Sequence, residues 1–304
     1  ELFKPFVMCE IVKKELAQLL PNEPCCFAAQ AYGLLECGRS FSASSISLHT
    51  ENSAVCQAYQ SFIKHSCCID NESFEHIVRT SGINVINVHQ DADRIKILNR
   101  FGHSLSDITI RLNRANFECE QCATAYIRGA FLSCGALTDP NTDYHMEFSI
   151  PYYRLSLDIM ALMGEMGIHV RLVRRKGIYI IYLKESGQIE DCLTLMGATN
   201  ASLEIMGVKI IKDIRNTANR IANCENANID KTVAASLAQI TAIRIIQQRR
   251  GLDSLPDELR ELAELRLNNP DLSLREMGEL LPKPLSRSGV NHRLKRIIEI
   301  SKEL

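Results

Sequence analysis

Cys25-Cys26-Phe27-Ala28-Ala29-Gln30-Ala31-Tyr32-Gly33-Leu34-Leu35-Glu36-Cys37-Gly38 and Cys122-Ala123-Thr124-Ala125-Tyr126-Ile127-Arg128-Gly129-Ala130-Phe131-Leu132-Ser133-Cys134-Gly135 read as two copies of one helix, small and apolar along its length and ended by glycine. At an offset of 97 residues (Gly38 to Gly135), Cys25 meets Cys122, Ala28 meets Ala125 and Cys37 meets Cys134. The flanks repeat as well. An extended stretch follows each copy, Ser44 to Thr50 and His145 to Ile150, and then a helical stretch, Ala54 to His65 and Leu155 to Met166. Each half continues with a hairpin: Phe74 to Val88 turns around Ser81-Gly82, while His169 to Arg174 and Ile178 to Leu183 turn at Arg175-Lys176-Gly177. Each closes with a short helix, Ile95 to Phe101 or Ile189 to Leu195. The expected domains are therefore repeat 1 over residues 1–105 and repeat 2 over 106–199.

The remaining residues read as all-helical. Asn200 to Asn228 is a polar connector with helical spacing in its middle, giving a helical linker over 200–230, and a second helix runs from Lys231 to a stop at Gly251. Three shorter helices follow over the rest of a 231–304 domain. Pro256, Asp257 and Glu258 start the first, Ser273-Leu274-Arg275-Glu276 is a capping box for the second, and Ser286 to Ser288 offers caps for a third that runs through Ile300. On that last helix Val290, Leu294, Ile297 and Ile298 fall on one face as a core stripe. Ser288, His292, Lys295 and Arg296 point the other way, with Asn291 and Arg293 on the flanks and Ser286 and Arg287 at the start. A short helix, a tight turn and a longer basic helix form a helix-turn-helix, whose second helix enters the major groove of double-stranded DNA.

Charge supports this placement. The chain of 304 residues has a net charge of −1, so it is not basic throughout and any nucleic-acid footprint is local. Residues 1–199 hold 18 Lys+Arg against 22 Asp+Glu, and residues 200–304 hold 17 against 14, so positive charge collects at the C-terminal end. No apolar run approaches the roughly 18 residues that a membrane span needs, and Glu1 to Leu20 lacks the apolar centre of a signal peptide, which leads to a cytoplasmic, nucleoid-associated expectation with no membrane partner. The 12 cysteines then read as free thiols. Cys119-x-x-Cys122 with Cys25-Cys26 and Cys67-Cys68 invites a zinc reading. No second pair has zinc-ribbon spacing and no His-x-His lies close, so the expectation is buried small thiols, no metal and no cofactor.

The paired repeats around two small-residue helices resemble the LAGLIDADG homing endonucleases, with Ile127 to Gly135 on the nine-residue motif. The resemblance implies a pseudo-twofold helix pair and a catalytic, metal-holding acid just before each terminal glycine. Those positions are read as Cys37 and Cys134, and Tyr32 stands where the motif has glycine. A thiol is a poor ligand for Mg²⁺, so no catalytic residue and no enzyme activity are expected. Over nearly its whole length the sequence also resembles the WhiA family of bacterial regulators. The likeness is carried by Ala125 to Leu132, Arg220-Ile221-Ala222-Asn223-Cys224-Glu225-Asn226-Ala227-Asn228, Gly251 to Pro256 and Ser286 to Leu294, and Glu1 to Val7 fall ahead of the usual family start. It implies an α+β fold, with a duplicated and degenerate LAGLIDADG-like domain followed by an all-α helix-turn-helix domain. It also implies transcription regulation in cell division, chromosome segregation and, in sporulating hosts, sporulation.

The expected function is sequence-specific DNA binding without chemistry, with Arg287, Arg293 and Arg296 on phosphates and Ser288, Asn291, His292 and Lys295 at base edges. Two other readings stand beside it. One is an interaction scaffold whose N-terminal domain binds a regulatory protein, with incidental DNA contact. The other is a divergent nuclease using other carboxylates.

Overall fold

A computed structural model describes residues 7–105, 107 and 109–304, so all but the last of the residues ahead of the usual family start lie outside the described residues. The chain divides into two compact units, 1–212 and 213–304. In the first, helix α1 (Val7–Ala17) precedes two copies of one topology. The first copy is α2 (Pro24–Glu36), β1 (Ser40–Phe41), β2 (Ile46–Thr50), α3 (Ser53–Cys67), β3 (Phe74–Val78), β4 (Asn84–Val88) and α4 (Asp91–Arg100). The second is α5 (Glu120–Cys134), β5 (Gly135–Leu137), β6 (Met146–Ile150), α6 (Tyr153–Glu165), β7 (Arg171–Arg175), β8 (Ile178–Leu183) and α7 (Ser186–Met196). The sheets are antiparallel with matching orders, β1-β2-β4-β3 and β5-β6-β8-β7. This is the duplicated LAGLIDADG-like α+β fold. Sequence periodicity missed β1 and β5 because strands of two and three residues are too short to show alternation.

Period-two patterning explains the sheets. In β6, Met146, Phe148 and Ile150 are buried while Glu147 and Ser149 are half-exposed, so one face packs on the helices. Lys176 and Gly177 take positive φ at the β7–β8 turn, and Gly82 does so between β3 and β4.

The helices α2 and α5 lie side by side and run in the same direction. A Cβ on Gly33 would stand 2.1 Å from the Tyr126 carbonyl oxygen, and one on Gly129 2.2 Å from that of Gln30. The two glycines are therefore equivalent, and the register that relates them is 96 residues, Gly33 to Gly129. The strands agree, since Phe41 pairs with Ile46 as Leu137 pairs with Met146. This corrects the sequence alignment by one residue: Gly33, not Tyr32, is the first repeat's crossing glycine, and Gly38, not Cys37, is the counterpart of Cys134. The 97-residue offset had matched side-chain identities, whereas the packing is set by where backbone must touch backbone.

Helix α8 (Thr199–Arg249) is continuous. The expected connector and second helix are one helix, because the only Gly or Pro within it is Gly207 and a single glycine costs about 1 kcal/mol without breaking a helix. Glu15 of α1 accepts from the Asn200 and Ala201 amides at 3.0 and 3.2 Å, satisfying donors at the start of α8. Ile205 is buried in the first unit's core, and Ile243 and Ile246 in the second's.

The second unit adds α9 (Asp257–Asn268), α10 (Leu274–Leu280) and α11 (Arg287–Lys302), packed around Leu262, Met277, Val290, Leu294 and Ile297. The capping box forms: the Ser273 hydroxyl accepts from the Glu276 amide at 3.3 Å, and the Glu276 carboxylate accepts from the Ser273 amide at 2.7 Å. Replacing Ser273 with alanine is expected to lower this unit's unfolding free energy by about 1 kcal/mol in urea titration.

Candidate nucleic-acid interface

The turn before α11 is fixed by a close approach. The Leu285 amide donates to the Gly278 carbonyl at 3.0 Å, and a Cβ on Gly278 would stand 2.2 Å from the Leu285 oxygen. Only glycine at that position of α10 lets the turn fold back tightly enough to present α11. Buried Arg266 holds the preceding turn, donating to the carbonyls of Pro270 and Leu272.

On α11, Val290, Leu294 and Ile297 face the core as expected, and Ile298 is half-buried. Arg287, Ser288, His292, Lys295 and Arg296 are exposed, and among the described residues none of these side chains has a hydrogen bond or ion pair. Ser288, His292 and Lys295 share one face at spacings of four and three, with Glu299 one turn further on. The structure separates three expected contact residues from this group. Ser286 is the N-cap, its hydroxyl accepting from the Gly289 amide at 3.2 Å. Asn291 is half-buried at the edge. Arg293 donates to Glu258 of α9 at 2.6 Å and its side chain is only 24% exposed, so its charge is already compensated within the unit.

A different picture holds at the C-terminal ends of α2 and α5, where the homing-endonuclease resemblance puts catalytic metal. The shallow cavity there is lined by residues including Cys37, Gly38, Arg39, His49, Ser133 and Cys134, and no carboxylate is among its lining residues. Cys37 is buried, and burial pushes its thiol far above the usual range. Without a carboxylate the cavity lining does not match the charged oxygen ligands that Mg²⁺ prefers.

Glu36, one residue earlier, is fully buried. Tyr126 donates to it at 2.6 Å across the helix pair and Tyr32 at 2.9 Å along α2. Burial lifts its carboxyl to about 8, opposed by these two hydroxyl donors. The Tyr32 oxygen also accepts from the Asn113 amide at 2.9 Å and meets His103 Nε2 at 2.8 Å. Burial lowers the His103 imidazole below its usual range, against a raising influence from Asp107.

At the opposite ends of α2 and α5, Cys25, Cys26, Cys119 and Cys122 converge, with their four sulfurs within 4.8 Å of one another. Cys26 and Cys122 are buried, but Cys119 is exposed and Cys25 half-buried, so the expectation of buried small thiols fits only half of this group. Hydrogen bonds from the Cys26 and Cys122 thiols pull Cys119 down to about 7. Spacing in sequence did not find the set because its two halves are 93 residues apart at the nearest (Cys26 to Cys119) and Cys25-Cys26 is an adjacent pair.

The family model described as "WhiA C-terminal HTH domain" matches residues 218–301, and "WhiA LAGLIDADG-like domain" matches residues 123–215. The chain is 37% identical over 263 residues to a "Probable cell division protein WhiA" of Clostridium botulinum, covering 84% of each chain. It is 44% identical over 212 residues to the protein of the same name from Thermoanaerobacter pseudethanolicus, covering 69% of this chain and 66% of that one. Among solved structures, full-length DUF199/WhiA from Thermatoga maritima superposes with a TM-score of 0.56 at 23% identity, over 97% of this chain and 98% of that one, a likeness of fold.

Proposed function

The chain belongs to the WhiA family, and on that footing we propose that it is a non-catalytic, sequence-specific DNA-binding regulator that reads the major groove with the exposed face of α11. The observation that carries the reading is the group Arg287, Ser288, His292, Lys295 and Arg296: exposed, without intramolecular partners among the described residues, and presented by a capped helix after a glycine-dependent turn. Side chains already paired inside the protein have less to offer a phosphate, which removes Arg293 from the contact set and makes it a brace between α9 and α11. Arg287 and Arg296 neutralise phosphates. Ser288, His292 and Lys295 approach base edges, with Asn291 at the margin. No nuclease step is assigned, because the cavity at the helix ends offers no carboxylate.

The relatives named as probable cell division proteins support a role in that process. Control of chromosome segregation, and of sporulation where the host sporulates, belongs to the same proposal. So do a place at the nucleoid and capture of a regulatory protein by the N-terminal unit. Among the described residues no helix is long and apolar enough to cross a membrane.

The test is a salt titration of DNA binding by the full chain. Each phosphate contact contributes about 0.9 to the slope of log affinity against log salt, so Arg287→Ala with Arg296→Ala should flatten the slope by about 2 on every sequence. Arg293→Ala should leave the slope unchanged while lowering stability. Slopes that are equal for wild type and the double variant would remove α11 from the interface.

A further inference from the structure

We propose that Cys25, Cys26, Cys119 and Cys122 form a tetrahedral four-thiolate site for a single zinc ion, which ties the N-terminal end of α2 to that of α5 and so joins the two repeats.

The sulfur spacing carries the assignment. Cys26 to Cys119 is 3.3 Å, Cys119 to Cys122 is 3.5 Å, Cys25 to Cys119 is 3.7 Å and Cys26 to Cys122 is 3.9 Å. A zinc–sulfur bond of about 2.3 Å in a regular tetrahedron puts sulfurs about 3.8 Å apart, so the four atoms already outline a polyhedron of the right size. A disulfide needs sulfurs about 2.05 Å apart, and all four cysteines are free. Clusters of two or four irons spread their cysteine sulfurs over a larger frame than one in which all four lie within 4.8 Å. An all-thiolate set selects a soft or borderline ion in tetrahedral geometry and rejects Mg²⁺ and Ca²⁺.

The surroundings suit a site carrying excess negative charge. Cys25 and Cys26 lie in the first turn of α2, Cys119 is the N-cap of α5, and Cys122 is in its first turn, so two helix N-termini face the sulfurs. Arg128, one and a half turns along α5 from Cys122, has no carboxylate partner among the described residues. It donates to the Met196 carbonyl at 2.6 Å and to Gln30 Oε1 at 3.1 Å. The Gln30 Nε2, one turn beyond Cys26, is buried without a partner among the described residues and can serve as a donor in the outer shell. Cys26 and Cys122 are buried while Cys119 is exposed, which gives the ion a closed seat with an entry side. Cys26 and Cys122 are related by the 96-residue register and Cys25 and Cys119 are not, so the site is one feature shared between the repeats, not one copy in each.

The experiment uses the full chain, purified without chelator. Metal analysis should find about one zinc per chain, and replacement by Co²⁺ should give the intense visible absorption and sulfur-to-metal charge transfer of a tetrahedral tetrathiolate. Cys119→Ser is the informative variant, because serine at an N-cap supports the helix start while removing a sulfur. It should weaken zinc binding at least tenfold in competition with a chromophoric chelator and shift the cobalt spectrum to that of a three-sulfur site. Cys224→Ser, at an exposed thiol on α8, should change neither readout. Folding does not confound the test, because adding zinc to chelated wild-type protein should raise its melting temperature and adding it to Cys119→Ser should raise it less. Wild-type protein with negligible zinc, a cobalt form without thiolate charge transfer, or equal zinc affinity in Cys119→Ser would each overturn the proposal.

Discussion

Gly129→Ala is expected to destabilise the first unit by about 3 kcal/mol or more, and Gly129→Val to prevent its folding. A Cβ at this position would lie 2.2 Å from the Gln30 carbonyl oxygen and 2.9 Å from the Leu34 amide nitrogen, and one on Gly33 would lie 2.1 Å from the Tyr126 oxygen and 2.9 Å from the Ala130 nitrogen. These are backbone atoms of the opposite helix, so no side-chain rotation relieves the clash. The helices must part, and parting opens gaps around Tyr32, Tyr126 and Phe131, all fully buried. Alanine's better helix propensity returns only about 1 kcal/mol. The two sites share one remedy, so Gly33→Ala with Gly129→Ala should cost clearly less than the sum of the single changes, as measured by urea unfolding in a double-mutant cycle. Gly164→Ala, at an exposed position in α6 with open space around it, should be neutral or slightly stabilising. An additive cycle would mean that the two glycines do not share one crossing.

The elements of this fold were legible in the sequence because they rest on local pattern. Small-residue helices, alternating strands such as Met146 to Ile150 and turns at Gly82 and Gly177 declare themselves within a few residues. The register between repeats did not, since Cys37/Cys134 and Gly38/Gly135 offer matching identities one residue away from the pairing that packing selects. The same limit explains Arg293 and Glu36. Nothing within a few residues of Arg293 announces Glu258, which comes from α9, 35 residues earlier. Tyr32 is four residues before Glu36 and so was predictable as a helical neighbour, but Tyr126, the shorter hydrogen bond, arrives from the other repeat. The four thiols are the extreme case: the adjacent pair Cys25-Cys26 and the spaced pair Cys119-x-x-Cys122, which sequence spacing leaves unrelated, are brought together by the crossing at Gly33 and Gly129. The exposed polar face of α11 was legible for the opposite reason, because helix periodicity alone divides buried Val290, Leu294 and Ile297 from exposed Ser288, His292 and Lys295.

Glu36 should make the first unit lose stability as the solution becomes alkaline. Its carboxyl titrates near 4.5 when exposed and at about 8 in the fold, where burial disfavours the charged form more than the Tyr126 and Tyr32 hydroxyls favour it. The folded state therefore holds its proton where the unfolded chain has released it. The contribution is complete below about pH 4.5 and is lost at about 1.4 kcal/mol per pH unit until about pH 8, a total of about 5 kcal/mol. His103 runs the other way, since its folded value is lowered from 6.5 by burial, so its contribution grows as pH rises toward 6.5 and is constant above. Between pH 6.5 and 8 the Glu36 slope is free of this opposition, and about 2 kcal/mol should disappear there. Glu36→Gln keeps a hydrogen-bonding group between the two tyrosines and cannot ionise. Subtracting its urea-unfolding profile from that of the wild type cancels the other titrating groups and isolates the carboxyl. The difference should be small at pH 5 and favour the variant by several kcal/mol at pH 8.5, so that the less charged protein is the more stable one in alkali. Parallel profiles across that range would mean that the carboxyl is ionised in the folded protein at neutral pH, and that the hydroxyls of Tyr32 and Tyr126 outweigh its burial.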